Sequence, residues 1–128
     1  MHKKLLFLLV IILLNASFVG ASTLHIADGA ITTAIANQKP VDRVNSFIAD
    51  FGKLYCFTRI VGAEEDTEIT HVWYYQENEM ARVTLSIGSG DWRTYSSKRL
   101  LPQWVGSWQV VVLDGAGDRI GMIPFEVE

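Results

Sequence analysis

The feature that most constrains this chain is the regular spacing of its turn residues from Leu24 to the C-terminus. Short runs rich in Val, Ile, Thr and aromatic residues are separated by clusters of turn residues, without a long helical period or an internal repeat. Such spacing is typical of antiparallel all-β domains. We therefore predict an immunoglobulin-like antiparallel β-sandwich of about seven or eight strands, with a small closed barrel as the alternative.

Residues 41–51 are the one ambiguous segment. Their apolar side chains recur at spacings of three and four, which fits one or two helical turns. An irregular crossover between two sheets would contain the same residues, and we favour the crossover.

A β-hairpin is predicted for residues 69–76 and 80–87, with its turn around Glu77 and Asn78. In the second strand, apolar residues alternate with mostly polar ones. That alternation indicates one buried face and one solvated face.

The register of this hairpin decides where Trp73 points. If the loop has an even number of residues, Trp73 lies opposite Arg82 and Tyr75 opposite Met80, which places both aromatic residues with His71 on the solvated face. A shift by one residue sends Trp73 into the core, where sandwich folds commonly place a tryptophan. The sequence leaves both registers open.

The N-terminal residues 1–21 have the layout of a secretory signal peptide. Lys3 and Lys4 precede an unbroken apolar run of ten residues, and a small-residue cleavage sequence ends at Ala21. Because spanning a bilayer takes roughly 20 residues, we favour cleavage over retention as a membrane anchor. The expected mature chain, residues 22–128, is a single β-sandwich domain without a membrane span, exported to the periplasm or beyond the cell.

The charge balance argues against nucleic acid as a partner. The chain has 11 Lys and Arg against 14 Asp and Glu, and removal of the two N-terminal lysines takes the net charge from −3 to −5. Nucleic-acid affinity comes largely from neutralising phosphates, which a net acidic domain does poorly.

The sequence contains no pattern that predicts catalysis, a cofactor or a metal site. Neither His25 nor His71 has a ligand spacing, His71 is expected to be satisfied by neighbouring backbone, and no serine has a nucleophile-elbow context. The acidic turn at residues 62–68 lacks the spacing of a calcium loop. Cys56, the single cysteine, is expected to be buried and inert. We predict a protein that is not an enzyme, with a small hydrolase as the least favoured alternative.

Residues 92–99 supply a candidate contact surface. Alternation places a stripe of cation, aromatic, hydroxyl and cation side chains on one side of this predicted strand. Tyr and Arg are enriched in binding interfaces, whereas the alternative is that the stripe simply faces water. The first register of the hairpin would place three more side chains on a solvated face. The candidate binding surface therefore comprises Arg93, Tyr95, Ser97 and Arg99 of the stripe and Arg82, Trp73 and Tyr75 of the hairpin.

Three motifs also follow one another at a distinctive spacing. They are His71-x-Trp73-x-Tyr75, then WRTYSSK at residues 92–98 with Leu101-Pro102, then Gly106-x-Trp108-x-Val110. In these motifs the chain resembles a bacterial family catalogued as domain of unknown function 2914, over roughly residues 30–128. The resemblance implies a β domain of envelope-associated proteins, and it implies no activity, cofactor or catalytic residue.

These observations predict a non-catalytic, exported binding or interaction module of the bacterial cell envelope. Its expected partner is an envelope protein or an envelope polysaccharide. Carbohydrate binding is the main alternative, because exposed aromatic side chains can stack on sugar rings.

Overall fold

The computed structural model describes residues 23–50 and 52–128, so the predicted signal peptide at residues 1–21 lies outside the described residues. Within them the chain forms ten strands and no helix. The strands are β1 (His25–Thr32), β2 (Ile35–Ala36), β3 (Lys39–Pro40), β4 (Ser46–Phe47), β5 (Lys53–Val61), β6 (Thr67–Tyr75), β7 (Asn78–Ile87), β8 (Asp91–Arg99), β9 (Gly106–Leu113) and β10 (Arg119–Val127).

The strands form two packed sheets and one small hairpin. The small sheet has the order β1-β5-β8, the large sheet has the order β4-β10-β9-β6-β7, and β2 pairs with β3. The seven strands of eight or more residues are all antiparallel to their neighbours, while the two-residue β4 runs parallel to β10. The predicted antiparallel sandwich of seven or eight strands is therefore confirmed, with three very short strands in addition.

The strand order explains how the small sheet ends. In immunoglobulin constant-type domains one sheet has the order A-B-E-D, and variable-type domains add a C′ strand to the opposite sheet. Here the fourth long strand, β7, lies beside β6 in the large sheet, as a C′ strand does. No described strand occupies the D position, so β8 is the last strand of the small sheet.

Aromatic rings fill the core between the sheets. Trp73 and Trp108 are 0% and 2% exposed, and each packs against Phe125 with ring centroids about 6 Å apart. The side chains of Leu54 and Cys56 on β5 close this cluster from the small sheet. Burying each large apolar side chain stabilises the fold by about 1.5–3 kcal/mol, so this cluster is a main source of the cohesion between the sheets.

A β-bulge settles the register of the β6–β7 hairpin. The turn is Gln76–Glu77, and Tyr75 pairs with Asn78 rather than with Met80. Between Trp73 and Tyr74 the register shifts by one residue, so that Trp73 pairs with Ala81. An inserted residue on one strand turns the following side chains to the other face. The solvated register is therefore wrong for Trp73, which lies in the core.

The ambiguous segment is a crossover and not a helix over residues 41–50. It contains β4, which is fixed to the end of β10 by backbone hydrogen bonds from Glu126 N to Asn45 O (2.8 Å) and from Glu128 N to Phe47 O (2.7 Å). Phe51, the last residue of the predicted segment, lies outside the described residues.

The β2–β3 hairpin follows directly after β1. Its turn residues, Asn37 and Gln38, have φ angles of 51° and 61°, which is the twist that two-residue hairpin turns require. The carboxylate of Asp42 fixes the base of the hairpin, because it accepts hydrogen bonds from Thr32 Oγ1 (2.7 Å) and from the backbone and hydroxyl of Thr33. Burial raises the pKa of Asp42, but these hydrogen bonds outweigh it and leave that pKa lowered.

Candidate functional site

The outer face of β8 carries the predicted stripe. Arg93 and Arg99 are exposed, Tyr95 is 47% exposed and Ser97 is half-buried, while Ser96 between them is buried. Arg93, Tyr95 and Arg99 thus face water as predicted, while Trp92 on the opposite side of the strand is also 38% exposed. The Tyr95 ring leans edge-on against Tyr55 of β5, with centroids 6.0 Å apart, and this contact holds the ring upright on the sheet.

Two ion pairs lie beside the stripe. Arg59 on β5 binds Asp91 through two hydrogen bonds of 2.9 and 2.6 Å, and Arg43 binds Asp28 in the same two-pronged way at 2.7 and 2.6 Å. Hydrogen bonding from the guanidinium groups lowers the pKa of both Asp28 and Asp91. Arg93 takes part in none of the ion pairs of the described residues, and the same is true of Arg99, Lys39, Lys53 and Lys98.

Three adjoining depressions meet at Arg93. The largest, of about 540 Å³, is lined by Ser86, Trp92, Thr94, Tyr95 and Gln38. The second, of about 380 Å³, is also lined by Gln38 and Trp92. The third, of about 250 Å³, is lined by Lys39 and Pro40 of the β2–β3 hairpin. All three are lined by Arg93. The tip of the hairpin therefore forms one wall of a groove whose floor is the outer face of β8.

Charge is strongly segregated between the two sheets. The small sheet and its hairpin, residues 23–43, 53–61 and 91–99, carry seven Lys and Arg against three Asp, a net charge of +4. The remaining described residues carry two Arg against eleven Asp and Glu, a net charge of −9. Although the chain is net acidic, residues 23–43, 53–61 and 91–99 form a basic face.

The other three predicted surface residues do not belong to this face. Arg82 lies on β7 of the large sheet and pairs with Glu79 at 2.6 Å. Tyr75 packs on Trp108 and donates its hydroxyl to the carbonyl of Val105 (2.7 Å). Trp73 is fully buried, so its inclusion in a contact surface was wrong.

A buried polar cluster joins the two sheets, and sequence reasoning missed it. His71 Nδ1 lies 2.7 Å from Ser96 Oγ, and His71 Nε2 lies 3.0 Å from Thr58 Oγ1. Trp73 Nε1 donates a third hydrogen bond to Ser96 Oγ, at 3.0 Å. His71 was expected to be satisfied by backbone, but hydroxyl groups of the opposite sheet satisfy it. Burial lowers the pKa of His71 to about 4, so the imidazole is neutral at pH 7.

The described residues offer few groups for other chemistry. They contain no cluster of three or more His, Cys, Asp or Glu side chains that could hold a metal ion. Cys56 is buried, as expected, and burial raises the pKa of its thiol. The part of the chain that the structure describes includes no helix able to cross a bilayer.

Comparison with known proteins finds a family model that matches the second half of the chain. The family model described as "Protein of unknown function (DUF2914)" matches residues 66–127, which contain β6 to β10. This confirms the resemblance in the second half of the chain and leaves its extension to residues 30–65 a prediction. A search of curated proteins found no match.

Proposed function

We propose that this chain, whose residues 66–127 match the DUF2914 family model, is a non-catalytic binding module of the bacterial cell envelope. Its contact surface is the outer face of β8 together with the tip of the β2–β3 hairpin. One observation carries the proposal: Arg93, outside every ion pair of the described residues, lines all three depressions of the basic face.

The residues around Arg93 suit contact with a partner. Tyr95 and Trp92 are 47% and 38% exposed, and they flank a cation that carries five N–H donors. Aromatic and Arg side chains dominate the binding energy of many interfaces, because they combine a large contact area with directional hydrogen bonds. A predominantly structural role would leave Arg93 and Tyr95 replaceable without effect on binding.

The proposal that the protein is not an enzyme rests on the burial of the Ser96–His71 pair. Ser96 is 5% exposed and His71 is 0% exposed. Ser96 Oγ already accepts a hydrogen bond from Trp73 Nε1, and both nitrogens of His71 have hydroxyl partners. A nucleophile must reach its substrate, which this pair does not do. Ester hydrolysis that disappears in Ser96→Ala would contradict this part of the proposal.

Export remains part of the proposal, and the N-terminal targeting segment supports it. Fractionation of cells that express the full chain, followed by mass measurement of the recovered protein, tests it. We expect the protein outside the cytoplasm, with residues 1–21 removed. A full-length cytoplasmic product contradicts it.

The binding surface is tested by site-specific photo-cross-linking in the envelope. A photoreactive residue replaces Tyr95 in one variant and Met122, an exposed residue of the large sheet, in the matched control. We expect a defined adduct from position 95 that is lost in Arg93→Glu and absent from position 122. Identical adducts from both positions, or protein without any adduct, would contradict the proposed surface.

Glycan binding is a second candidate, favoured by the exposed rings of Trp92 and Tyr95 beside Arg93. Stacking of a sugar ring on Trp92 should change the intrinsic tryptophan fluorescence. Titration with peptidoglycan fragments and soluble glucans tests this, with Arg93→Ala and Tyr95→Ala expected to abolish the response. A flat signal across these glycans ends the carbohydrate version and leaves the protein-binding version intact.

A further inference from the structure

The small sheet has an unfilled edge at β8. In constant-type immunoglobulin sandwiches a D strand follows the E strand in the sheet, whereas β8 pairs only with β5 among the described residues. Edge strands expose a row of backbone donors and acceptors to which a further strand can pair. The fold therefore has room for a fourth strand in this sheet.

The hydrogen-bond phase of β8 shows which backbone groups face this edge. Gly62 N donates to Gly90 O (2.9 Å), and Leu100 N donates to Gly52 O (2.6 Å). Both pairs continue the register of β5 with β8, and each lies one residue beyond an end of β8. Because hydrogen-bonded and non-hydrogen-bonded pairs alternate in an antiparallel ladder, the even-numbered residues of β8 bond to β5. The N–H and C=O groups of the odd-numbered residues point to the free edge.

At each end of the free edge, a side chain donates a hydrogen bond to a backbone carbonyl of β8. Ser89 Oγ donates to the carbonyl of Asp91 (2.9 Å), and Lys98 Nζ donates to the carbonyl of Arg99 (3.2 Å). Between them lie Arg93, Tyr95 and Ser97, whose backbone groups are presented at the centre of the edge. These are three of the four residues of the outer stripe, so one set of residues supplies both the backbone ladder and the exposed side chains.

The β8 edge also lacks the β-bulges that the other long edge strands have. A register shift interrupts β1 between Ile26 and Asp28, and another interrupts β7 near Met80. Such bulges discourage strand pairing. The nine pairs of β8 with β5 run without a shift. Among the described edge strands of eight residues or more, β8 alone is regular throughout.

The two sides of the edge specify different side chains for an added strand. Above it lies the basic face, with Arg93 and Arg99 exposed and the +4 charge of the surrounding segments. On the other side, Ser86, Trp92 and Thr94 line the inner part of the depression of about 540 Å³, whose outer part is lined by Gln38, Arg93 and Tyr95. An added strand therefore fits best with acidic residues on one side and small apolar or hydroxyl residues on the other.

We propose that the free edge of β8 binds an extended acidic peptide segment of a partner protein, which adds as a fourth strand of the small sheet with its carboxylates on the Arg93–Arg99 side. Main-chain hydrogen bonds give such a complex its affinity, and alternate side chains give its specificity. This deepens the proposed function and rests on it, since it names the partner and its mode of binding at the same surface.

A second copy of this chain fits the edge less well. Pairing β8 with β8 would bring two faces of net positive charge together, and like-charge juxtaposition opposes association. An acidic segment instead gains attraction from the same charges. The basic face thus discriminates between two occupants that the backbone alone would treat alike.

The test uses the mature chain and a capped heptapeptide, Glu-Thr-Glu-Val-Glu-Thr-Glu, with amide hydrogen exchange followed by NMR. In the free protein we expect fast exchange at the amides of Arg93, Tyr95 and Ser97 and slow exchange at Thr94 and Ser96. On saturation with the peptide, the three odd-numbered amides should become protected by at least tenfold. Binding without this protection overturns strand addition.

Peptide N-methylation gives a matched control for the backbone ladder. Residues directly opposite in a sheet share a face, so in an antiparallel complex the Glu residues form the hydrogen-bonded pairs with Arg93, Tyr95 and Ser97. Methylation of the Glu nitrogens should abolish binding, while methylation of the Thr and Val nitrogens should preserve it. Equal effects of the two peptides overturn the proposal.

Charge variants test the proposed specificity. Arg93→Glu should weaken peptide binding about tenfold or more at low salt, and Arg119→Glu, an exposed change of the same charge on the large sheet, should not. A peptide with Lys in place of Glu should not bind. Binding of the Lys peptide as tightly as the Glu peptide contradicts the acidic specificity.

The remaining outcomes separate this inference from the proposed function. If polygalacturonate, an anionic polysaccharide, binds with the same dependence on Arg93 but leaves the odd-numbered amides unprotected, and the peptide does not bind, the binding surface stands and strand addition is wrong. If the free protein sediments as a dimer with those amides already protected, a second copy fills the edge and the acidic-peptide proposal is wrong. If neither probe binds but photo-cross-linking from position 95 still gives its defined adduct, the binding surface stands and strand addition of an acidic peptide is wrong; if that adduct is absent as well, both proposals fail.

Discussion

Acidification should destabilise the protein through His71. The folded chain holds this imidazole neutral between Ser96 and Thr58 with a pKa of about 4, because burial penalises the charged form. In the unfolded chain the pKa returns to about 6.5. Between these values the unfolded state binds a proton that the folded state does not, so stability that is present above pH 6.5 is lost as the pH falls towards 4.

The magnitude follows from the two pKa values. Relative to pH 7, protonation of His71 in the unfolded state should cost about 2 kcal/mol of unfolding free energy at pH 5 and about 3 kcal/mol at pH 4. Small domains have total stabilities of about 5–15 kcal/mol. Protonation of this one residue is therefore expected to remove a large part of the stability.

Urea unfolding followed by tryptophan fluorescence at pH 7, 5 and 4 measures the effect. His71→Gln is the comparison, because its amide can donate and accept hydrogen bonds but does not titrate. Asp28 and Asp42, whose lowered pKa values also cost stability near pH 4, are present in both proteins and cancel in the difference. Wild type should lose about 3 kcal/mol more than His71→Gln between pH 7 and pH 4.

A difference below about 1 kcal/mol would refute the reasoning. If His71→Gln folds poorly, the imidazole of the wild-type protein can be titrated directly by NMR. Titration near pH 6.5 in the folded state would equally show that burial does not hold this residue neutral.

Two further substitutions and one labelling measurement have definite expected outcomes. Ser96→Ala leaves the buried Trp73 indole N–H without its acceptor and should cost about 1–3 kcal/mol in urea unfolding, while peptide binding at the β8 edge stays unchanged. Asp42→Ala removes the acceptor for Thr33 and should raise amide exchange in the β2–β3 hairpin without lowering the melting temperature of the sandwich by more than about 5 °C. Cys56 should react with a thiol reagent only as fast as the protein unfolds, because it is buried and burial raises its pKa; rapid labelling of the native protein would contradict its burial.

The outer stripe was predictable because it depends on one local rule. Side chains alternate along a strand, and β8 is regular throughout, so Arg93 and Tyr95 could be placed on one face from sequence alone. The same rule could not choose a face for Trp73, because that face depends on the register of the β6–β7 hairpin, and nothing local in the sequence indicates the bulge that sets it.

Contacts between distant segments were beyond prediction from the sequence. His71 and Ser96 are 25 residues apart and belong to different sheets, so their 2.7 Å contact depends on how the sheets are offset. The pairing of residues 35–36 with 39–40 had no local signal for a different reason. Gln38 adopts a φ of 61°, a conformation that side-chain-bearing residues other than Asn and Asp seldom take, so its type does not indicate a tight hairpin turn. The groove beside Arg93 depends on it.

The buried polar cluster has a consequence for how the sandwich can move. Burial of apolar surface is non-directional, so it specifies the offset between two layers less sharply than hydrogen bonds, which need defined distances and angles. Thr58 and Ser96 anchor His71 to two neighbouring strands of the opposite layer. Lateral sliding of the layers would leave buried donors without acceptors, so the offset between them is fixed at a single value.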